Sequence, residues 1–418
     1  MKYKTILFVL LLFAAGIWYR WHLASLFPHV PIADENAYIA IARDMKSQFL
    51  VAECCSRGFV YPAFLSVLMR IFGESWMQWM TIFQSIMDSA VGVFLFFISK
   101  RLFGRQTWAF LTLILYIVNP LTATYTGLIL TEVPALFLLT FFLWLFIQKD
   151  RPVRQFFCGT VLGFFVFTRL MFFYWGVAFF VVFLVLRIFQ HRNVFRSILP
   201  IFAGTILVTA YPSIANFVTY GTISPVPVIS TVTYDFFLSL RVKRLPAIVD
   251  EFNREALPVL LAQENYSVDF FNREEYDKAM KKYAGKFIPE ILNNPGPFLL
   301  SRLQNQRIFW NKSNLYFYAD PFYPADRPFV EAGNFLFLVL GFWGIMLAFG
   351  KGTKTGPQKD ILVVTVLLVV YLLGVLNLRI PEERFTLPVY PILFLYVPLG
   401  GSSVLAWVKN AGRMVRGN

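Results

Sequence analysis

Apolar residues run along most of the chain in long blocks that are separated by short polar segments. A helix that crosses the hydrocarbon core of a bilayer needs about 20 predominantly apolar residues. The blocks that approach this length lie near residues 5–26, 76–99, 106–125, 128–148, 154–168, 170–188, 197–218, 332–350, 360–378 and 385–408. The pattern predicts an all-α integral membrane protein with about ten transmembrane helices.

The first block starts with basic residues, as a signal peptide does. Its apolar character nevertheless continues through Trp18 to Leu26, and no small-residue cleavage site follows it. We therefore expect the first block to be an uncleaved span.

Basic residues collect in every second polar segment, with almost no acidic residue beside them. They are Lys2 and Lys4; Lys100, Arg101 and Arg105; Lys149, Arg151 and Arg154; Arg187, Arg192 and Arg196; Lys351, Lys354 and Lys359; and Lys409, Arg413 and Arg416. Cytoplasmic segments of membrane proteins are enriched in Lys and Arg. The alternation predicts that these segments and both termini are cytoplasmic.

The two longest opposite segments, 27–75 and 220–331, are mixed in charge. In the first, five apolar residues from Ala37 to Met45 recur at three-to-four spacing, which predicts an amphipathic juxtamembrane helix with Asp34 as its N-cap. The second segment predicts short helices broken by Pro246, Pro289, Pro295 and Pro297. We expect one membrane domain over residues 1–418, with both segments as insertions and no C-terminal soluble domain.

Composition agrees with a membrane protein and limits its partners. Hydrophobic residues make up 57% and charged residues 15% of the chain, and the mean hydropathy is +0.60. The net charge of +14 is explained by the basic cytoplasmic segments. No basic face with interleaved aromatic residues indicates nucleic acid, so we expect membrane lipids and no nucleic acid as partners.

Cysteine and histidine give little indication of chemistry. Cys54 and Cys55 are adjacent, Cys158 lies in an apolar run, and no zinc spacing occurs. The cysteines are either incidental or, for the adjacent pair, oxidised to each other. The three histidines, His22, His29 and His191, are too scattered for a metal triad.

Acidic and arginine residues from distant segments fall at one predicted depth, on the outer side. They are Asp34, Glu35, Arg57, Glu132, Arg169, Arg379, Glu382, Glu383 and Arg384. Charges near a membrane are costly unless they face a cavity or a partner, so this set predicts a site built from loop ends. Helix capping, snorkelling and loop ion pairs remain alternatives for individual members. Asp88, which lies mid-span, either relays protons or bonds to a neighbouring helix.

Several stretches in this order resemble the GT-C superfamily of polytopic glycosyltransferases, in the branch of protein O-mannosyltransferases and lipid A aminoarabinose transferases. They are DENAYIAIARDM, RGFVYPAFLSVLMRIFGES, QSIMDSAVGVFLFFISKRLFGRQ, NPLTATYTGLILTEVPALFLL, YAGKFIPEILNNPGPFLLSRLQNQRIFW and PEERFTLPVYPILFLY. The resemblance covers nearly the whole chain and implies a GT-C-like fold.

The resemblance also implies a function and a set of roles. A polyprenyl-phosphate sugar would donate to a glycan, lipid or protein hydroxyl outside the cytoplasm, with inversion. The implied catalytic pair is Asp34, as general base, with Glu35. Arg57, Arg384 and Arg379 would bind the donor phosphate. Tyr38, Tyr61, Glu132 and Arg169 would orient the acceptor or a divalent metal, whose presence stays open. The expected location is a bacterial inner membrane. A transporter or lipid flippase is the alternative, although the chain has no internal repeat.

Overall fold

The computed structural model describes residues 3–26, 30–31, 34–51, 57–148, 151–190, 194–226, 273–312, 327–350, 356–378 and 382–416. These residues form helices joined by short connections, and none of them lies in a strand. The predicted all-α class is confirmed over this part of the chain.

The first half of the chain contains a bundle of long apolar helices with shorter helices between them. The elements are α1 (Tyr3–Leu26), α2 (Asp34–Ser47), α3 (Val60–Phe72), α4 (Trp76–Phe103), α5 (Gln106–Ile117), α6 (Pro120–Ala123), α7 (Glu132–Phe146), α8 (Pro152–Thr168), α9 (Phe173–Phe189), α10 (Val194–Ser197) and α11 (Leu199–Tyr220).

The second half adds two helices of the large outer segment and the closing spans. These elements are α12 (Arg273–Asn293), α13 (Pro295–Trp310), α14 (Arg327–Gly350), α15 (Gly356–Leu376) and α16 (Tyr390–Arg416). A 3₁₀ helix, Glu383–Val389, leads directly into α16 and is called the 383–389 segment below.

Seven helices in the described residues are long and apolar enough to cross a membrane, or eight if one bent pair counts as a single span. That pair, α5 with the helices at Pro120–Gly127, bends by 45°. Each of the ten predicted blocks contains a helix, but α7 has 15 residues and α8 has 17. The chain is a multi-span membrane protein, and the predicted count of ten is not confirmed.

A buried polar network explains the bend after α5. Arg20 of α1 pairs with Asp88 of α4 and donates to the carbonyls of Tyr116 and Ile117, which end α5. The Tyr116 and Thr122 hydroxyls donate to the same carboxylate. A guanidinium and a carboxylate that are both fully buried need this level of pairing. Of the two alternatives for Asp88, the structure therefore favours bonding to neighbouring helices.

Two glycines let α8 and α11 pack with their backbones in close contact. A Cβ atom on Gly159 would lie 1.8 Å from the Ile201 carbonyl oxygen, and one on Gly204 would lie 2.1 Å from that of Phe156. Small residues at such positions allow transmembrane helices to approach closely. This contact fixes the N-terminal half of α8 against α11, and Arg169 follows the other end of α8.

The outer segments agree with the sequence in part. The predicted amphipathic helix is α2, whose apolar side, including Tyr38, Ala42 and Met45, is buried against the bundle. Pro289 lies inside the 21-residue helix α12, so the predicted break at this residue is wrong. Only the hydrogen bond that the proline nitrogen cannot donate is lost there, and the helix continues to Asn293. Pro246 lies outside the described residues.

Candidate active site

The carboxylate of Asp34, at the start of α2, is shared by two arginines. Arg57 Nη2 donates to Asp34 Oδ1 at 2.8 Å, and Arg384 Nη2 donates to Asp34 Oδ2 at 2.6 Å. Arg57 precedes α3, whereas Arg384 is in the 383–389 segment before α16. The side chains of Asp34 and Arg57 each keep 31% of their surface exposed, so this ion pair is open to ligands.

The two guanidinium groups hold Asp34 in its charged form. Burial alone would raise the pKa of Asp34, but the charges of Arg384 and Arg57 outweigh it and lower that pKa to about 2. Asp34 is therefore a carboxylate at any physiological pH. While both arginines are bound to it, it is also a weak base.

A second ion pair lies beneath the first one. Arg169 Nη1 lies 2.8 Å from Glu132 Oε1, and Arg384 Nε lies 3.9 Å from the same oxygen. Glu132 Oε2 is buried without a hydrogen-bond partner in the described structure. The Phe385 ring contacts both cations, with its centroid 5.4 Å from Arg169 and 5.7 Å from Arg384. Arg384 thus joins both carboxylates, and its Nε also donates to Glu382.

The remaining predicted residues surround α2. Glu35, which is 3% exposed, accepts a hydrogen bond from the Ile129 amide at 2.8 Å and so ties α2 to the turn before α7. The ring of Tyr38 lies 5.2 Å from the guanidinium carbon of Arg57. Tyr61 is fully buried behind Tyr38, with its hydroxyl 3.3 Å from Gln84 Oε1. Tyr38 thus contacts Arg57 directly, whereas Glu35 holds α2 in place and Tyr61 packs against Tyr38.

A glycine that the sequence analysis missed holds Arg57 in position. A Cβ atom on Gly58 would lie 1.9 Å from the Phe167 carbonyl oxygen, near the end of α8. The segment that carries Arg57 can therefore contact α8 this closely only because residue 58 has no side chain. The sequence indicated this contact only weakly, because a single glycine beside an arginine is common.

Lys312 is a second missed residue. It follows α13, is fully buried, and contacts the 383–389 segment that carries Arg384. Its contact could not be read from sequence, because Lys312 is 71 residues from Glu383 and the pattern that includes it, Asn311-Lys312-Ser313, indicates only weak N-glycosylation potential.

The remaining predicted features are a third arginine, the cysteines and a candidate metal site. Arg379, Cys54 and Cys55 lie outside the described residues. Cys158 is a buried free thiol. Within the described ranges, no three His, Cys, Asp or Glu side chains group as metal ligands would. The described site is thus made of arginine–carboxylate pairs.

The architecture and one stretch of sequence match known glycosyltransferases. The model of the dolichyl-phosphate-mannose-protein mannosyltransferase family matches residues 56–215. The crystal structure of the apo oligosaccharyltransferase of Archaeoglobus fulgidus superposes with a TM-score of 0.54 at 11% identity. The chain has a GT-C-like fold. The resemblance stated from the sequence is confirmed at this level.

The GT-C-like chain spans about half of the archaeal protein: the match covers 100% of this chain and 52% of that one. A crystal structure of ArnT from Cupriavidus metallidurans bound to undecaprenyl phosphate also matches, with a TM-score of 0.39 and 14% identity. That match covers 95% of this chain and 79% of ArnT. No curated protein matches the sequence significantly.

Proposed function

We propose that this GT-C-like protein is a membrane glycosyltransferase that moves a sugar from a polyprenyl-phosphate donor to a hydroxyl group outside the cytoplasm. The observation that carries the proposal is the sharing of one carboxylate, Asp34, by two arginines from distant segments. Such a site would place a general base, Asp34, in direct contact with two arginines that can bind a phosphate. The family that matches residues 56–215 is named for a dolichyl-phosphate sugar donor, which supports the donor class.

The arginines suit the phosphate of the donor. Guanidinium groups bind phosphate oxygens through paired N–H donors and keep their charge at any working pH. Arg57 is partly exposed, and Arg384 approaches the same point from the opposite side of Asp34. A polyprenyl tail can lie along the apolar helices below, which have many exposed hydrophobic side chains. Arg379 remains a third candidate for the phosphate.

The reaction is a single displacement at the anomeric carbon. The acceptor hydroxyl transfers its proton to Asp34 while its oxygen bonds to the anomeric carbon. The bond from that carbon to the phosphate oxygen breaks, and polyprenyl phosphate leaves as an anion. One displacement inverts the configuration. The leaving group needs cations more than a proton donor, which is the role assigned to Arg57 and Arg384.

Donor binding would also activate the base. In the structure described above both arginines are bound to Asp34, and a phosphate anion competes for the same N–H donors. When they turn to the phosphate, the charge that lowers the Asp34 pKa is partly neutralised. Asp34 then becomes a better base only after the donor has bound. Glu132 and Arg169 beneath it would hold Arg384 in reach of both partners.

Sidedness supports an extracytoplasmic site. Asp34 follows α1, Glu132 begins α7, and Arg169 ends α8. Lys4 lies at the opposite end of α1, and Arg151 and Arg154 lie at the connection between the opposite ends of α7 and α8. By the positive-inside rule those ends face the cytoplasm. We infer that the acceptor is a glycan, lipid or protein outside the bacterial inner membrane.

The test is a screen of the purified protein with dolichyl-phosphate and undecaprenyl-phosphate sugars, measuring consumption of each donor without an ion gradient. The donor that is consumed is then tested with Asp34→Asn, which should reduce transfer at least about 100-fold. Asp44→Asn is the matched control, because Asp44 is exposed on the same helix. Consumption of no donor, or full activity in Asp34→Asn, would contradict the proposal.

A further inference from the structure

A buried lysine supports the segment that carries Arg384. Lys312 Nζ donates to the Glu383 carbonyl, to Thr386 Oγ1 at 2.6 Å and to the Phe309 carbonyl at 2.8 Å. The first two acceptors lie on either side of Arg384 in sequence. The Thr386 hydroxyl also donates to the Phe309 carbonyl at 2.7 Å, which ties the segment to the end of α13 a second time.

The environment of Lys312 is costly for a cation. Its side chain is fully buried, and its three hydrogen bonds go to uncharged oxygens. A buried ammonium without a bound carboxylate lowers stability unless all its donors are used. An ammonium has three donors and no acceptor, so it matches three converging oxygens. The ring of Tyr390, 5.1 Å from Nζ, adds the attraction between a cation and an aromatic face.

We propose that Lys312 is a positioning residue for the donor phosphate: its ammonium holds the 383–389 segment so that Arg384 reaches both Asp34 and the phosphate. The proposal rests on the proposed function, because it assigns Lys312 to the same phosphate site. Lys312 itself does not contact the reacting groups. It acts through the Glu383 carbonyl and the Thr386 hydroxyl on either side of Arg384, whose terminal nitrogen must stay within hydrogen-bond distance of its partner.

The proton on Lys312 responds to pH near neutrality. Burial lowers the pKa of Lys312 to about 7, and the charge of Glu383 opposes part of that fall. Among the described residues, the Tyr390 ring faces the ammonium, and its hydroxyl donates to Asn334. Two further ionisable residues lie on the neighbouring helices α14 and α13: Glu331, which accepts from Asn311, and Arg302, which donates to the Asn377 carbonyl. Loss of the proton removes one of three donors while the lysine stays buried, so within the folded protein the contacts of the segment weaken as the pH rises above about 7.

A purely structural role would give the opposite pH trend. Unfolded Lys312 has the ordinary pKa of 10.5, whereas the folded value is about 7. Between these values the unfolded chain binds more protons, so this group makes the folded protein more stable as the pH rises. The positioning role instead predicts that use of the donor becomes worse over the same range. Stability and donor affinity should therefore move in opposite directions.

The first experiment measures kcat, and KM for the donor selected by the screen, from about pH 6 to 9 for wild type, Lys312→Met and Lys312→Arg. Lys312→Met should raise KM about 10-fold at low pH with little change in kcat, and it should lose the rise in KM near pH 7. Lys312→Arg keeps a cation and should shift that rise to higher pH. Lys282→Met, at an exposed lysine of α12, is the control. An unchanged KM and pH profile in Lys312→Met would overturn the proposal.

A second measurement does not depend on activity. Amide hydrogen exchange in residues 383–389 through local fluctuations that leave Lys312 buried should become faster in wild type as the pH rises through about 7, beyond the intrinsic increase, and should be fast at all pH values in Lys312→Met. If Lys312→Met does not fold, Thr386→Val removes one acceptor and should show a smaller increase of the same kind. Protection unchanged by pH and by either variant refutes the role of Lys312. If no donor is consumed but exchange follows this pattern, the proposed function is contradicted, whereas the role of Lys312 in holding the 383–389 segment is supported.

Discussion

Arg384 and Asp34 are 350 residues apart in sequence, and Arg384 Nη2 donates to Asp34 Oδ2 at 2.6 Å. The contact joins the beginning of the first outer segment to the last outer turn. Arg57 holds the other oxygen of the same carboxylate. One acid thus connects three parts of the bundle. The first two predictions below follow from its pairing with the two arginines.

Removing the charge of Asp34 should strengthen phosphate binding while it abolishes transfer. In Asp34→Asn the terminal nitrogens of Arg57 and Arg384 are no longer paired with the carboxylate of residue 34, so a larger fraction of the protein has a phosphate site that is ready to bind. We expect undecaprenyl phosphate to bind at least about 10-fold more tightly than to wild type. Binding can be measured by microscale thermophoresis in detergent. Asp44→Asn should bind like wild type, and weaker binding by Asp34→Asn would contradict the competition between phosphate and Asp34.

The same ion pairs should contribute to stability in a pH-dependent way. The pKa of Asp34 is about 2 in the folded protein and 3.8 ordinarily. Because the folded value is lower, the stabilisation is present above about pH 4 and is lost as the pH falls toward 2. The difference in unfolding temperature between wild type and Asp34→Asn should therefore shrink between about pH 4 and pH 2. A difference independent of pH would be inconsistent with the lowered pKa.

Asp88 should matter for folding and not for chemistry. It is fully buried and bonded to Arg20, Tyr116 and Thr122. Removing one partner of a buried ion pair costs about 3–5 kcal/mol, because the other charge is left without compensation. Asp88→Asn should lower the unfolding temperature strongly, yet the folded fraction should keep its transfer rate. Normal stability with lost activity would instead favour a proton relay at Asp88.

Gly58 tests whether backbone contact positions Arg57. An alanine there cannot keep the present approach to α8, since its Cβ atom would lie 1.9 Å from the Phe167 carbonyl oxygen. The chain must shift, and a shift of about 1 Å at Arg57 should raise KM for the donor 10-fold or more. Gly285→Ala, at a position with open space, is the control. Equal KM values for the two variants would mean that Arg57 does not depend on this contact.

The amino-acid pattern alone determined the class of the protein and much of its organisation. Block length and hydropathy predicted the helices, because in a bilayer each helix must satisfy its own backbone and cover it with apolar side chains. Periodicity predicted α2. Most of the charged candidate residues were identified because they lie in the predicted outer turns. Local interactions determine all of these features, so they can be read one segment at a time.

Only the tertiary structure decided which charges meet. Three contacts join residues far apart in the chain, and no local pattern encodes such pairs: Arg384 on Asp34, Arg20 on Asp88, and Lys312 on the 383–389 segment. The close contacts at Gly58 and Gly159 likewise exist only once the helices pack. The short α7 and the bend after α5 leave the predicted count of ten spans unconfirmed. A polar network can end or bend a helix where hydropathy alone would continue it.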